Sequence, residues 1–393
     1  MGFFSWLFSK KSVEAKPASA SLLLDFAAQN YRAGAFGSTD LKTKALAELV
    51  TLTRASGAGR YNAQGYFEWL PEQTPRLDHD PVTKAPLGLL IGSQRVNRNG
   101  FSTAFDSWQP SQMDVYPNAQ QGLDGQQSAV RLVAKAVLAG HNIGAPIGPV
   151  VAGQEYVVRV RAKSDGLRYL VFNSNAKFFG TQDSACFDLV DGVVTLQSAN
   201  NRASIRALSE GYWECTSVLK AFEEGKASVY WVVSSVPEPK VRPDRFVGDE
   251  EAGLILWGPE CSEGSSMDTS YIPTTTAEPV TRLADEALLL LGSWFNAETG
   301  TFILEHDVPL GKVLLSSGDQ VVTSVGVGRT ALAYDAKGYY LSHNAGTYGT
   351  HKPINFVDAL RLLASATDSA DAHLKKLTYY PRIVTQAELV ALS

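Results

Sequence analysis

Between about residues 105 and 285 hydrophobic and polar positions alternate in short runs, separated by clusters of Gly, Asn, Asp and Pro. Successive side chains of a strand point to opposite faces, so this period of two predicts half-buried strands joined by turns. The clearest runs are 154–162, 168–172, 212–219, 227–233 and 253–257. In the first, Tyr156, Val158 and Val160 share one face while Val157, Arg159 and Arg161 share the other, which predicts one core face and one wet face. The pattern as a whole predicts a mainly all-β chain built on an antiparallel β-sandwich of the jelly-roll kind.

Further runs at 301–306, 312–315, 321–327, 338–341 and 374–380 predict a second, smaller β-module over 286–393. It ends in a helical turn, where Thr385 and Glu388 form a capping box and Leu389 and Leu392 can pack. Upstream, 22–26 reads as a short strand and 50–54 alternates again. Residues 41–49 place Leu41, Ala45 and Leu49 on one helical face with no internal Gly or Pro, which predicts a helix. The turn-rich, aromatic stretch 61–98 reads as an extended strap lying against other modules and carrying no core of its own. The predicted organisation is thus an N-terminal peptide and linker over 1–20, a strap with short strands and a short helix over 21–104, the sandwich over 105–285, and the smaller module over 286–393.

The 393 residues give room for two or three domains, and 45% hydrophobic against 19% charged residues excludes wholesale disorder. A net charge of -5 without any long Lys/Arg run argues against nucleic acid as a partner. Cys186, Cys215 and Cys261 are odd in number and widely spaced, which predicts buried free thiols and assembly in a reducing cytoplasm. At the N-terminus Phe3, Phe4, Trp6, Leu7 and Phe8 precede Lys10 and Lys11, the reverse of a secretory leader, and the run is far too short to span a bilayer. As a helix, Phe3, Phe4, Leu7 and Phe8 form an apolar stripe that suits either a docking peptide or a segment folded back on its own domain.

Candidate chemistry is sparse. Sugar sites stack aromatic rings on the C–H faces of pyranoses and take the hydroxyls with amides and carboxylates. Trp213, Trp231 and Trp257 lie within strand patterns and read as core. Phe178 and Phe179, with Asn173, Asn175 and Lys177, form the leading candidate contact loop, against ordinary loop packing or a subunit interface; Trp108 and Tyr116 come next. Asp78-His79-Asp80 reads as a capped turn rather than a metal site, since neighbouring side chains of an extended segment diverge. His306, His343, His351 and His373 are scattered without zinc-site spacing, and Asp183, Asp188 and Asp191 do not form a calcium loop. There is no G-x-S-x-G elbow, and Glu250, Glu251, Glu260 and Glu263 read as a solvated rim. No cofactor is expected.

Three stretches carry a resemblance. Thr51-Leu-Thr-Arg-Ala-Ser, followed by 75–91 (Pro-Arg-Leu-Asp-His-Asp-Pro-Val-Thr-Lys-Ala-Pro-Leu-Gly-Leu-Leu-Ile) and Arg95-Val-Asn-Arg-Asn, resembles the strap before the receptor-binding modules of phage and prophage tail-fibre and head-spike proteins. Ile255-Leu-Trp-Gly-Pro-Glu-Cys-Ser-Glu-Gly, Thr269-Ser-Tyr-Ile-Pro-Thr-Thr and Val280-Thr-Arg-Leu-Ala-Asp are similar to the end of their carbohydrate-binding-like sandwich. Leu377-Thr-Tyr-Tyr-Pro-Arg-Ile-Val-Thr-Gln-Ala-Glu-Leu resembles the last strand and turn of the concanavalin-like module that often follows. The resemblance implies a non-catalytic spike or fibre on the virion surface, assembled in the bacterial cytoplasm. It would attach to host capsule or lipopolysaccharide and meet other virion proteins (capsid, portal or tail) through its N-terminus. It also implies a homo-oligomer, a trimer in the manner of the family, with a pentamer on a capsid vertex as the alternative. A purely structural decoration or connector protein and a polysaccharide depolymerase are the competing classes.

Overall fold

The computed structural model describes residues 19–38, 40–105, 107–180, 184–240, 243–264, 270–346, 349–350, 356–357 and 359–392. The chain is mainly β, in antiparallel sheets, as the alternation predicts. Phe3, Phe4, Trp6, Leu7 and Phe8 lie outside the described residues, as do Asp183 and His351. No described helix is long and apolar enough to cross a membrane.

The central sandwich packs two six-stranded sheets. One has the order Met113–Gln121, Gln127–Ala134, Gly253–Glu263, Glu155–Asp165, Trp213–Lys220 and Asn201–Ala207; the other runs Gln109–Ser111, His141–Val150, Gly225–Ser234, Tyr169–Ser174, Ser184–Asp188 and Val193–Gln197. Alternate residues of the two sheets meet between them: Val130, Leu132, Val158, Val160, Leu254 and Leu256 against Ile143, Leu170, Phe172, Phe187, Val229 and Trp231. Burying such side chains stabilises by about 1.5–3 kcal/mol each, which makes this layer the main source of the sandwich's stability. Trp231 and Trp257 are buried as expected, Trp213 partly so, and the three cysteines are buried thiols outside any disulfide.

The second sandwich is built from both ends of the chain. Leu22–Asp25 pairs with Ala372–Tyr380, Val50–Thr53 pairs with Glu286–Leu290, and Pro86–Ile91 pairs with Ala372–Tyr380. The expected coreless strap is therefore corrected. Leu22, Leu24, Val50, Leu89 and Ile91 are fully buried in one core with Leu289, Phe302, Leu332, Leu374 and Tyr379. Alternation identified the strands at 22–26 and 50–54 but not Pro86–Ile91, and their partners lie hundreds of residues away, where no local pattern names them. The central sandwich is inserted between the two halves. The chain enters it along Arg95–Asn97 and returns along Val280–Arg282, and these two strands pair antiparallel as a neck.

The helix expected over 41–49 is also corrected. Lys42–Thr43 joins a sheet edge and only Leu46–Glu48 turns as a 3-10 helix. A helical face of Leu41, Ala45 and Leu49 has nothing to pack against: Ala45 is exposed, while Leu49 is buried leading into the strand Val50–Thr53. At the other end the capping box forms, with Thr385 accepting from the Glu388 amide; Leu389 is buried and Leu392 stays exposed.

The wet face expected for Arg159 and Arg161 is covered. Both are 1% exposed, lying beneath the hairpin Ala58–Tyr61 and Phe67–Leu70, whose Tyr61 and Phe67 pack with Leu123, Tyr212, Trp257 and Tyr271 on that side of the sheet. Buried charges must be paired. Arg161 binds Glu214 at 2.7 Å and 2.9 Å and donates to the Gly258 carbonyl at 2.8 Å, while Arg159 and Arg161 each stand 3.6 Å from Glu260. Glu260 is thus enclosed, a correction to its place on a solvated rim; Glu250, Glu251 and Glu263 are exposed.

At the neck Asp285 accepts from Arg54 at 2.7 Å and from the Gly92 amide at 2.9 Å, pairs with Arg76, and stands 3.5 Å from Arg282. All four side chains are buried. Burial and the neighbouring Arg76 pull the Arg282 guanidinium down to about 10, while the surrounding arginines hold Asp285 below the usual carboxylate range. Asp285→Ala should cost about 3–5 kcal/mol in urea unfolding, because it leaves three buried guanidiniums without their shared carboxylate; a cost below 1 kcal/mol would contradict this account.

Candidate functional site

The proposed contact loop does not present its rings. Ala176–Phe179 is a helical turn, with Phe178 9% and Phe179 0% exposed. Phe179 meets Tyr156 edge-on at 6.1 Å, and Phe178 packs where a Cβ on Gly225 would stand 2.6 Å from its ring. Both rings belong to the buried core of the central sandwich, which removes them from solvent. Asn175 accepts from the Ser228 amide at 2.5 Å and donates to the Tyr230 hydroxyl at 3.2 Å, Asn173 accepts from the Ser174 amide at 2.8 Å, and Lys177 lies over the Phe178 ring. Trp108 is likewise core, stacked on Trp231 at 4.6 Å. Tyr116 is exposed on the edge strand opposite Arg131. Both phenylalanines and Trp108 are therefore corrected from contact residues to core.

The chemistry expected of that loop is found where the hairpin meets the sandwich. A cavity of about 250 Å³ is walled by Phe67, Trp69, Trp257 and Tyr271, with Asp124 and Ser128 at its side. Phe67 and Trp69 are two apart in a strand and so share a face. Phe67 turns edge-on to Trp257 at 5.4 Å, Trp257 to Tyr271 at 4.9 Å, and all three are buried. Trp69 alone stays 38% exposed. Its indole lies so close over Gly57 that a Cβ there would stand 2.2 Å from it, and Gly122 leaves the same room for Trp257 at 2.4 Å. The Trp257 indole donates to Ser128 Oγ at 2.9 Å, and Ser128 donates to Asp124 Oδ1 at 2.6 Å. Tyr271 shares a hydrogen bond with Ser102 at 2.7 Å and receives Arg161 on its ring at 5.3 Å. Burial raises its phenol far above the ordinary value, so it stays neutral. The result is a rigid aromatic wall beside a half-buried carboxylate.

Sequence reasoning missed Trp69 and Asp124. Their signals were present: Phe67 and Trp69 alternate after the turn Asn62 to Gly65, and Asp124-Gly125 sits between two alternating runs as a hairpin turn does. Nothing local shows that the two turns meet.

The histidines separated in sequence are partly gathered by the fold. His373 bonds Asp307 through Nδ1 at 2.6 Å and Asp78 through Nε2 at 3.0 Å. Asp78 also accepts from the Tyr61 amide at 2.6 Å, so it ties the hairpin to the second sandwich. Asp80 caps its turn as expected, accepting from the Val82 and Thr83 amides at 3.0 Å and 2.7 Å. His306, next to Asp307, accepts from the Val308 amide and bonds Thr330, and burial lowers it to about 4. Asp188 and Asp191 are both engaged by Arg168. Among the described residues no group of three or more His, Cys, Asp or Glu is placed to hold a metal ion.

Glu214 and Glu260 form a carboxylate pair whose members are shifted in opposite directions. Burial is overcome by Arg161, Arg159 and Arg206 at Glu214, which falls to about 2, while burial raises Glu260. Such splitting suits an acid and a base. Both are 4% exposed or less, under Tyr61 and Tyr271, so a polysaccharide has no access to them.

No family model matches the chain, and no curated protein matches it.

Two outcomes follow from the geometry. Phe179→Ala should lower stability by about 3–5 kcal/mol in denaturant titration, as loss of a fully buried ring does. Burial pulls His373 down, but Asp307 and Asp78 together hold it up to about 9 from 6.5. The stabilisation is complete below pH 6.5 and lost as pH rises through about 9. Wild-type unfolding free energy should therefore fall by up to about 3 kcal/mol across that window, and His373→Gln should flatten the fall; an equal slope in both proteins would refute it.

Proposed function

We propose that the chain is a non-catalytic adhesion protein of a bacteriophage virion surface, a spike or fibre that attaches to host glycan. The attachment site is the pocket of Trp69, Phe67, Trp257 and Tyr271 with Asp124. The observation that carries the binding reading is the partly exposed Trp69 indole on a preformed aromatic wall beside a carboxylate, the pairing of ring face and hydroxyl acceptor that a pyranose needs. The virion setting is supported by the resemblance of 51–56, 75–91, 95–99, 255–264, 269–275, 280–285 and 377–389 to phage fibre and spike proteins. Trp69 sits on a two-stranded hairpin clamped by Asp78 and by Phe67, so the site is held rigid and binding orders little. A single shallow site binds weakly, and several copies on a homo-oligomer, a trimer or pentamer, would supply avidity.

The connector reading has its own support in Leu138 and Val247, paired across two strands and each 61% exposed, an apolar ridge suited to another protein subunit. The two readings are compatible, since the ridge and the pocket involve different strands.

Trp69→Ala should weaken binding to host capsule or lipopolysaccharide by about tenfold or more, equivalent to ~1.4 kcal/mol, while the melting temperature shifts little. Incubated polysaccharide should keep its size. Shortened chains would move the protein into the depolymerase class, and unchanged affinity in the variant would remove this pocket as the site.

A further inference from the structure

We infer that the aromatic pocket selects uncharged, hydroxyl-rich sugars and rejects acidic ones, with Asp124 setting the selection; this rests on the glycan-binding reading above. Among the described residues that line the cavity, Asp124 is the one that carries a charge. Its hydrogen bonds run in a fixed direction. The Trp257 indole can only donate, so Ser128 Oγ accepts from it and passes its own single proton to Asp124 Oδ1. The Gln126 amide donates to the same oxygen at 3.0 Å. Oδ2 is left without a partner among the described residues and can only accept. A ligand that completes the site must therefore donate, as a sugar hydroxyl or an acetamido N–H does.

A uronate or sialate carboxylate brought to the same place meets like charge. No cation among the described lining residues offsets it, and Arg161, the guanidinium behind Tyr271, is committed to Glu214 and to the Gly258 carbonyl. The aromatic rings add in the same direction, since their faces are negative and favour the slightly positive C–H face of a neutral pyranose. In a half-buried site, like-charge repulsion at contact distance is enough for roughly tenfold discrimination or more.

The test uses the full chain and titration calorimetry against two sets of probes: mannan, dextran and chitin oligosaccharides, and polygalacturonate and polysialic acid. The expected result is binding within the neutral set that Trp69→Ala weakens, acidic probes at least about tenfold weaker, and a gap that narrows in roughly 0.5 M salt. Asp124→Asn should weaken the neutral ligand and admit the acidic one; if this variant fails to fold, the wild-type ratio and its salt dependence decide. An acidic probe bound as tightly as the neutral ones, and lost with Trp69→Ala, overturns the selectivity while leaving glycan binding in place. Absence of any Trp69-dependent binding in either set overturns both.

Discussion

Asp285 is the carboxylate on which the architecture turns. One acidic side chain gathers Arg54 from the end of an N-terminal strand, Arg76 from the stretch after the hairpin, and Arg282 from the return strand of the neck, and it takes the Gly92 amide as well. Arg54 also donates to the carbonyls of Ser56, Pro71 and Thr74 at 2.8, 2.9 and 3.2 Å, so the knot fixes backbone from three otherwise irregular segments. Desolvating these charges is costly, and the return in net stability is small or negative compared with an apolar cluster. What it supplies is geometry. Planar guanidiniums accept few arrangements around a carboxylate, and an inserted sandwich needs its entry and exit strands held in one register.

That insertion also shapes folding. Leu22–Asp25 must find Ala372–Tyr380, and the closure entropy of so long a loop is reduced only when the central sandwich has already brought residues 97 and 280 together. The inserted sandwich, whose strands pair among themselves, is thus the unit expected to form first, with the two halves of the second sandwich docking on the neck afterwards.

Strand existence was legible because a period of two survives any tertiary context: the runs at 154–162, 227–233, 301–306 and 374–380 all lie within or across observed strands. The same period cannot say what covers the second face. Arg159 and Arg161 look solvent-facing in sequence, yet a hairpin more than 80 residues upstream lies over them and Glu214 and Glu260 neutralise them. Phe178 and Phe179 failed for the related reason that a short polar turn can fold its apolar residues inward as readily as outward. Asp78 and His373 were judged singly, because their meeting depends on the strand pairing of Pro86–Ile91 with Ala372–Tyr380. The candidate site was thus the least legible part: each wall comes from a different segment, and only the closed fold brings them to one place.

The pocket is consequently a property of a junction rather than of a module. Phe67 and Trp69 belong to the hairpin, Trp257, Ser128 and Asp124 to the central sandwich, and Tyr271 to the return toward the neck. Its shape depends on how the hairpin lies, and Asp78 controls that by accepting from Tyr61 with one oxygen and from His373 of the second sandwich with the other. The two sandwiches are therefore coupled at the site without either containing it. Cutting the chain at the apparent module boundaries would leave a complete central core and an incomplete aromatic wall, since the hairpin's Phe67 and Trp69 would no longer be held against Trp257.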